Sequence, residues 1–427
     1  MEKLTNKKVL KALYSAKILS CSLLALLSAP FFSTQTFAAE CATGTSPAAG
    51  CTIDVSNITY TLTGDITTST DNVNVIEFQD DADSNTLNFI GNITSTGIDA
   101  IVFYVDNSED NILSIIGNIK TSGNYSDGIR LNSGGSKTTT TLTGNITTEG
   151  LNAHAVYLNN SSSNTINLIG NLSTSGNTAH GIFLNAVSAN NNLTLIGDIT
   201  VSGTNSSGVF IFRGVSPNYD IQDNIFNITG NILATGPSGN GYIVEDAHST
   251  TITHTGNITT TGNDADAFAI YTGDENTVTI NGNITTSGSL SEGLALSAAS
   301  GSNFTVNGNI TTNDATAYGI RIYENSDDNV ITVNGNINSP SSGYAIHIDS
   351  TSDNNTIYLN RGNITGLFYN DGSNNTLNFN LGRAASYNFT TSGAVDWTLE
   401  DPYKPIVSGS AKSMGVADID NQAHILY

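Results

Sequence analysis

The chain has 427 residues with 14 basic and 37 acidic side chains, a formal net charge of -23 and a sequence pI near 4.2. A surface this anionic repels phosphate backbones and anionic lipid headgroups, which excludes nucleic-acid binding and direct membrane-surface binding. Scarce lysine with abundant Asn, Thr, Ser and Gly would suit a disordered chain, but the Ile, Leu, Val and Phe residues recur with a fixed period, and that predicts order.

Residues 1–38 read as a secretory signal. Lys3, Lys7, Lys8, Lys11 and Lys17 form a basic region, 18–27 is apolar, and Thr36-Phe37-Ala38 offers small residues where a signal peptidase cuts. Cys21 would suit a lipoprotein signal only if an apolar stretch preceded it, and Lys17 interrupts one. Removal of 1–38 leaves 9 basic and 36 acidic residues, a net charge of -27. Residues 39–56 are expected to cap the fold. They hold Cys41 and Cys51, which in an oxidising compartment are expected to form a disulfide.

From 57 to 385 the chain repeats. Gly followed by Asn or Asp and then Ile or Leu recurs with Gly at 64, 91, 117, 144, 170, 197, 230, 256, 282, 308, 335 and 362. The spacing is 26 or 27 residues, except for 33 between Gly197 and Gly230. The fullest copies read Gly-Asn-Ile-Thr-Thr-x-Gly, at Gly256 and Gly282. Four and two residues before the Gly stand apolar pairs such as Leu87 and Phe89, or Ile166 and Leu168. About eleven residues after it a second alternation begins, as in Gly128-Ile129-Arg130-Leu131 and Ala155-Val156-Tyr157-Leu158. Period two marks strands, and Ser, Asn, Asp and Gly between them mark turns. Three short strands per period predict an all-β chain, a right-handed parallel β-helix of about 12 coils. At a rung spacing of ~4.8 Å the stack would be roughly 55–60 Å long. A leucine-rich repeat has a similar period but needs a spacer between its Asn and the next Leu, and Asn171 is followed directly by Leu172.

After Gly362 the register shortens: Asn375-Thr376-Leu377-Asn378-Phe379 reads as one more strand only 20 residues beyond the last. Residues 386–427 form a junction of different composition, with Trp397, Pro402 and Pro405. The long basic signal, the Thr/Asn/Gly-rich β-helix, Val395-Asp396-Trp397 and the segment from Ser408 to Val416 together resemble the passenger region of Gram-negative autotransporters. The resemblance implies export through the inner membrane, delivery by an outer-membrane translocator barrel, and adhesion to cells or surfaces. It departs from that pattern by ending where the barrel should begin. The barrel is then expected as a separate polypeptide, or the chain as a truncated passenger with no retained activity. The expected location is the cell surface or medium, or the periplasm if no barrel is supplied.

β-Helices also carry polysaccharide lyases and hydrolases, in which paired carboxylates serve as acid, base or Ca²⁺ ligands. Asp327-Asp328, Asp80-Asp81 with Asp83, and Asp264 with Asp266 fall in turns, where Asp and Asn bond local backbone, and a turn is the expected role. His254 stands where its counterparts are Leu, Ile or Val, and reads as a buried, hydrogen-bonded oddity. His154 and His180 are expected to stack one rung apart without a third ligand for a metal. No cofactor and no catalysis are expected. The expected contact surface is the outward column of the last strand in each coil, read as Val102, Arg130, Tyr157, Phe183, Phe210, Ile243, Ala269, Ala295, Arg321 and His347. Within it Tyr157, Phe183, Phe210 and Ile243 form an apolar ridge. Beside the ridge the extra residues of the long coil, with Arg213 and Tyr219, are expected to form a loop. The expected partner is a host or sister-cell surface protein or glycan.

Overall fold

In a computed structural model the described residues are 50–213, 221–360, 362–380, 388–391, 395–401 and 404–411, with backbone alone from 379 onward. Every regular element among them is a strand. Each coil has three. The coil that opens at Thr86 runs through a first strand Thr86–Ile90, a second Ile93–Ser95 and a third Phe103–Asp106. Each strand pairs in parallel with its counterpart in the next coil. First strands stack into a 13-stranded sheet, and second and third strands belong to a 25-stranded one. The chain is a parallel β-solenoid of about twelve coils, as the periodicity predicts.

The repeat motif can be explained atom by atom. A Cβ on Gly117 would lie 1.7 Å from the carbonyl oxygen of Gly91, and Gly117 has φ +142°, so no other residue fits the head of the motif. The closing Gly has the same cause: a Cβ on Gly123 would lie 1.8 Å from the oxygen of Gly97. The motif Asn is exposed, and its Oδ1 accepts the backbone N–H of the matching residue one coil on, as Asn145 does from Asn171 at 2.8 Å. The Ile is core. The first Thr faces outward, and the second turns inward, where Thr148 Oγ1 donates to the carbonyl of Ala153 at 2.6 Å and closes the turn.

A second, buried Asn column runs along the turn before each first strand. Asn164, Asn191 and Asn224 each accept at Oδ1 a backbone N–H of the preceding coil, at 2.9 to 3.0 Å. These amides satisfy the turn backbone where neither water nor a strand can reach. Inside, the apolar columns fill the coil; Ile182, Leu184, Leu158 and Leu195 are 1% exposed or less.

The long coil is absorbed without loss of register: Ile199 pairs with Ile232, and Phe210 with Ile243. The extra residues therefore lie between Phe212 and Ile221, and Ile221–Gln222 pairs with Ala247–His248 in a small extra sheet. At the far end the second and third strands fuse into one strand, Ile364–Asn370, which pairs with both Ile337–Asn338 and Tyr344–Ile348. The lost turn explains the short step to Thr376–Asn380. Cys51–Ile53 already pairs with Ile76–Phe78, and Asn388–Thr391 with Ile364–Asn370. Val395–Asp401 and Lys404–Ala411 form an antiparallel hairpin. The expected signal at 1–38 and Cys41 lie outside the described residues.

Candidate functional site

Three side-chain columns run along the outside of the third strands. The central column places Tyr157, Phe183, Phe210 and Ile243 on consecutive rungs, as the spacing predicts. Arg130 precedes Tyr157 and Ala269 follows Ile243. One expected member is wrong. Val102 is fully buried in the approach to its strand, and the residue in register with Arg130 is Tyr104. The strand there starts at Phe103, and its outward residue lies two positions later than the alternation suggests.

The ridge is a stack of rings. Tyr157 and Phe183 lie 4.9 Å apart and nearly parallel, and Phe183 and Phe210 5.2 Å apart. Phe210 stacks on Phe212 at 5.6 Å. The Arg130 guanidinium covers the free face of Tyr157 at 5.1 Å, a cation–π contact. All four ridge residues are half-buried, so the ridge presents ring edges and the Ile243 side chain. Asn185 Nδ2 donates to the Tyr157 hydroxyl at 3.2 Å, which ties the ridge to the column on its right. Arg213 follows Phe212, and its guanidinium lies 3.7 Å from the Asp246 carboxylate. Tyr219 lies outside the described residues.

The left-hand column occupies the corner before each third strand. Here a side-chain acceptor takes the N–H of the next coil: Asp127 Oδ1 from His154 at 2.6 Å, His154 Nδ1 from His180 at 3.0 Å, and His180 Nδ1 from Ser207 at 2.9 Å. The imidazoles stack at 5.1 Å with planes 2° apart, as the sequence predicts. Because Nδ1 is the acceptor, each ring is neutral with its proton on Nε2. Burial holds His154 well below the ordinary histidine range and His180 at about 3. Asp127 is pushed up to about 6 by burial, against the pull of Arg130, whose Nε donates to Oδ2 at 2.5 Å.

Farther along, the same column brings together a group that the sequence reading missed. Asp266 Oδ1 accepts the N–H of Glu292 at 2.7 Å, and Asp266 Oδ2 accepts the Tyr271 hydroxyl at 2.8 Å. Glu292 Oε1 accepts from Arg321 at 3.1 Å, and Arg321 lies over the rings of Tyr318 and Tyr323 at 4.8 and 4.2 Å. Beneath them Ala269 and Ala295 are fully buried. Burial, then the hydrogen bond and the charge of Glu292, drive Asp266 well above the ordinary carboxylate range. The pair thus sets a buried carboxyl whose charged form is disfavoured beside an Arg-paired acid, an arrangement of the kind acid–base chemistry uses. The missed signal is a spacing of 26 between Asp266 and Glu292, which local turn reading cannot see.

The turn acids Asp327 and Asp353 do bond backbone, but across coils rather than locally: Asp327 Oδ1 accepts the N–H of Asp353 at 2.7 Å, and Asp353 Oδ1 that of Ser373 at 2.6 Å. Asp266, expected in the same local role, is instead buried in the group above. His254 is fully buried with its Nδ1 3.0 Å from the Tyr242 hydroxyl. Among the described residues no three His, Cys, Asp or Glu side chains are placed to hold a metal ion.

No protein-family model and no curated protein matches the chain. Among solved structures it is similar to the mannuronan C-5 epimerase A-module of Azotobacter vinelandii, at 13% identity and a TM-score of 0.43, covering 75% of this chain and 90% of that one. That distant likeness carries no argument about chemistry.

Proposed function

We propose that the chain is an exported, adhesin-like β-helical passenger that binds a surface protein or glycan on host or sister cells. The observation that carries this reading is the Tyr157, Phe183, Phe210, Ile243 ridge. It is a contiguous stripe of stacked aromatic rings and one Ile on the outside of the third strands, and aromatic side chains supply much of the energy at interfaces. The proposal includes the Cys41–Cys51 disulfide as a staple of the leading end and a translocator barrel supplied for export. A triple variant, Tyr157→Ser, Phe183→Ser and Phe210→Ser, tests it in a cell-binding assay. Binding falls to background while the β-sheet circular dichroism spectrum is kept; binding that survives in the folded variant defeats the ridge as the contact.

A second reading, an enzyme acting on acidic polysaccharide, is favoured by the Asp266, Glu292, Tyr271 and Arg321 group. Incubation with pectin-like and glycosaminoglycan chains, with and without Ca²⁺, tests it. Turnover abolished by Glu292→Gln would replace the adhesin reading.

A further inference from the structure

The outside of the 13-stranded sheet differs from the rest of the molecule in one respect. Its outward side chains come from alternate residues of the first strands, Thr59, Thr61 and Thr63 in the opening coil and Thr356, Tyr358 and Asn360 in the last coil with described side chains. Not one of those positions, in any coil between, carries a charge. The acids lie elsewhere, in the turns and on the third strands, at Glu77, Asp106, Glu245 and Asp349 for example. In a chain of net charge -23 this face offers no charge to repel a second copy.

Along the face the chemistry changes. Toward the C-terminal end it is an amide ladder satisfied within itself: Asn307 Nδ2 donates to Asn281 at 2.7 Å, Asn334 to Asn307 at 2.6 Å and Asn360 to Asn334 at 2.7 Å. Toward the N-terminal end the same column holds Ile90, Ile116, Ile169 and Ile196, each 50 to 55% exposed, and Ile112 and Ile225 add to the patch. Between them stand Thr and Asn, whose hydroxyls and amides both donate and accept. A surface of that kind is complementary to itself, which a two-fold interface requires.

We infer that this face is a self-association surface and that its occupant is the same face of a second copy of this chain. A two-fold axis along the strand direction, between Thr139–Thr143 and Thr165–Ile169, sets the coil axes antiparallel. It lays the Ile116 coil of one copy on the Ile196 coil of the other, twice. Eight coils then overlap, from the Thr59–Thr63 strand to the Thr251–Thr255 strand. At ~4.8 Å per rung and ~3.3 Å per residue the patch covers roughly 550 Å² on each copy. That is below the ~800 Å² of a standard stable interface, so the association is weak and its dissociation constant lies in the micromolar range. The face is separate from the aromatic ridge, so the failure of one leaves the other standing.

Sedimentation velocity on the full chain tests the inference, between about 1 and 200 µM at low and high NaCl. The expected result is a reversible monomer–dimer equilibrium that tightens with salt, because salt screens the acidic faces while the contact itself holds no ion pair. Ile116→Lys with Ile196→Lys should weaken it at least about tenfold. Ile116→Thr with Ile196→Thr, which restores the residue type of Thr143 and Thr229 in the same column, should weaken it less, with the fold intact by circular dichroism. Thr285→Lys with Thr311→Lys, outward on the second strands, should leave it unchanged. A chain that stays monomeric throughout, a dimer loosened by salt, or a folded Ile116, Ile196 variant that associates like the parent overturns the inference.

Discussion

The histidine column makes the stack acid-sensitive in a way that one substitution should remove. His180 is held near 3 in the folded chain by burial, against an ordinary value of about 6.5. Folding therefore excludes a proton that the unfolded chain takes up below pH 6.5. Stability from this group is complete above that pH and is lost as the pH falls toward 3. At ~1.4 kcal/mol per unit, going from pH 7 to pH 4.5 removes about 2 to 3 kcal/mol. Asp127 works the other way. Its folded value of about 6 lies above the ordinary one, so its contribution is complete at low pH and is lost as pH rises through 6. The two partly cancel in the parent protein, and only a comparison isolates the histidine. His180→Asn is the variant to use, because Asn240 already fills this column and accepts the N–H of Asp266 at 2.6 Å. The ladder then survives without a titrating group. Urea titrations at pH 7 and 4.5, with hydrogen exchange at the Ser207 amide that His180 accepts, report the difference. The variant should match the parent within about 1 kcal/mol at pH 7 and exceed it by about 2 to 3 kcal/mol at pH 4.5. Parallel pH profiles for the two proteins would refute the assignment of Nδ1 as the ladder acceptor.

Three more outcomes are expected. Ile182→Asp, which puts a carboxylate in the core, should cost several kcal/mol in a thermal melt, whereas Phe183→Asp, half-buried one residue along, should cost far less. Gly117→Ala drives a Cβ into the oxygen of Gly91 at positive φ and should cost about 3 kcal/mol or more, seen as loss of exchange protection centred on that coil. Asp266→Asn removes a carboxyl whose folded-state value lies above its unfolded one, so the parent loses stability as pH rises; the variant should lack that decline in melts between pH 5 and 9, and an unchanged slope would count against the upward shift at Asp266.

The sequence made the coil legible because each coil meets the same demands. Gly117 and its equivalents have no space for a Cβ, the motif Asn must accept a hydrogen bond, and the Ile must fill the interior, so the pattern repeats in plain sight. Phase was legible along most of the stack; it slipped by two residues at Val102, where the apolar run Ile101-Val102-Phe103 offers no polar residue to mark the outside. The ridge was legible because every member has the same offset from its Gly. Asp266 and Glu292 were not, since each looks like a turn acid in its own coil and becomes a pair only when read across coils. Nor does local sequence show that an imidazole can stand in for an amide oxygen, as His154 and His180 do.

The long coil between Gly197 and Gly230 shows how such a molecule can change size. Seven residues more than its neighbour leave every ladder on either side in step, from Asn191 bonding to Asn224 through Ile199 facing Ile232. What one coil asks of the next is a glycine, an acceptor and an apolar pair, and any coil supplies them to any other. Duplication or excision of a whole period would lengthen or shorten the molecule by ~4.8 Å and leave two joints of the kind already present. Reach is thereby uncoupled from contact chemistry: a lineage can adjust how far the structure extends by recombination among its own repeats, without redesigning a single side chain.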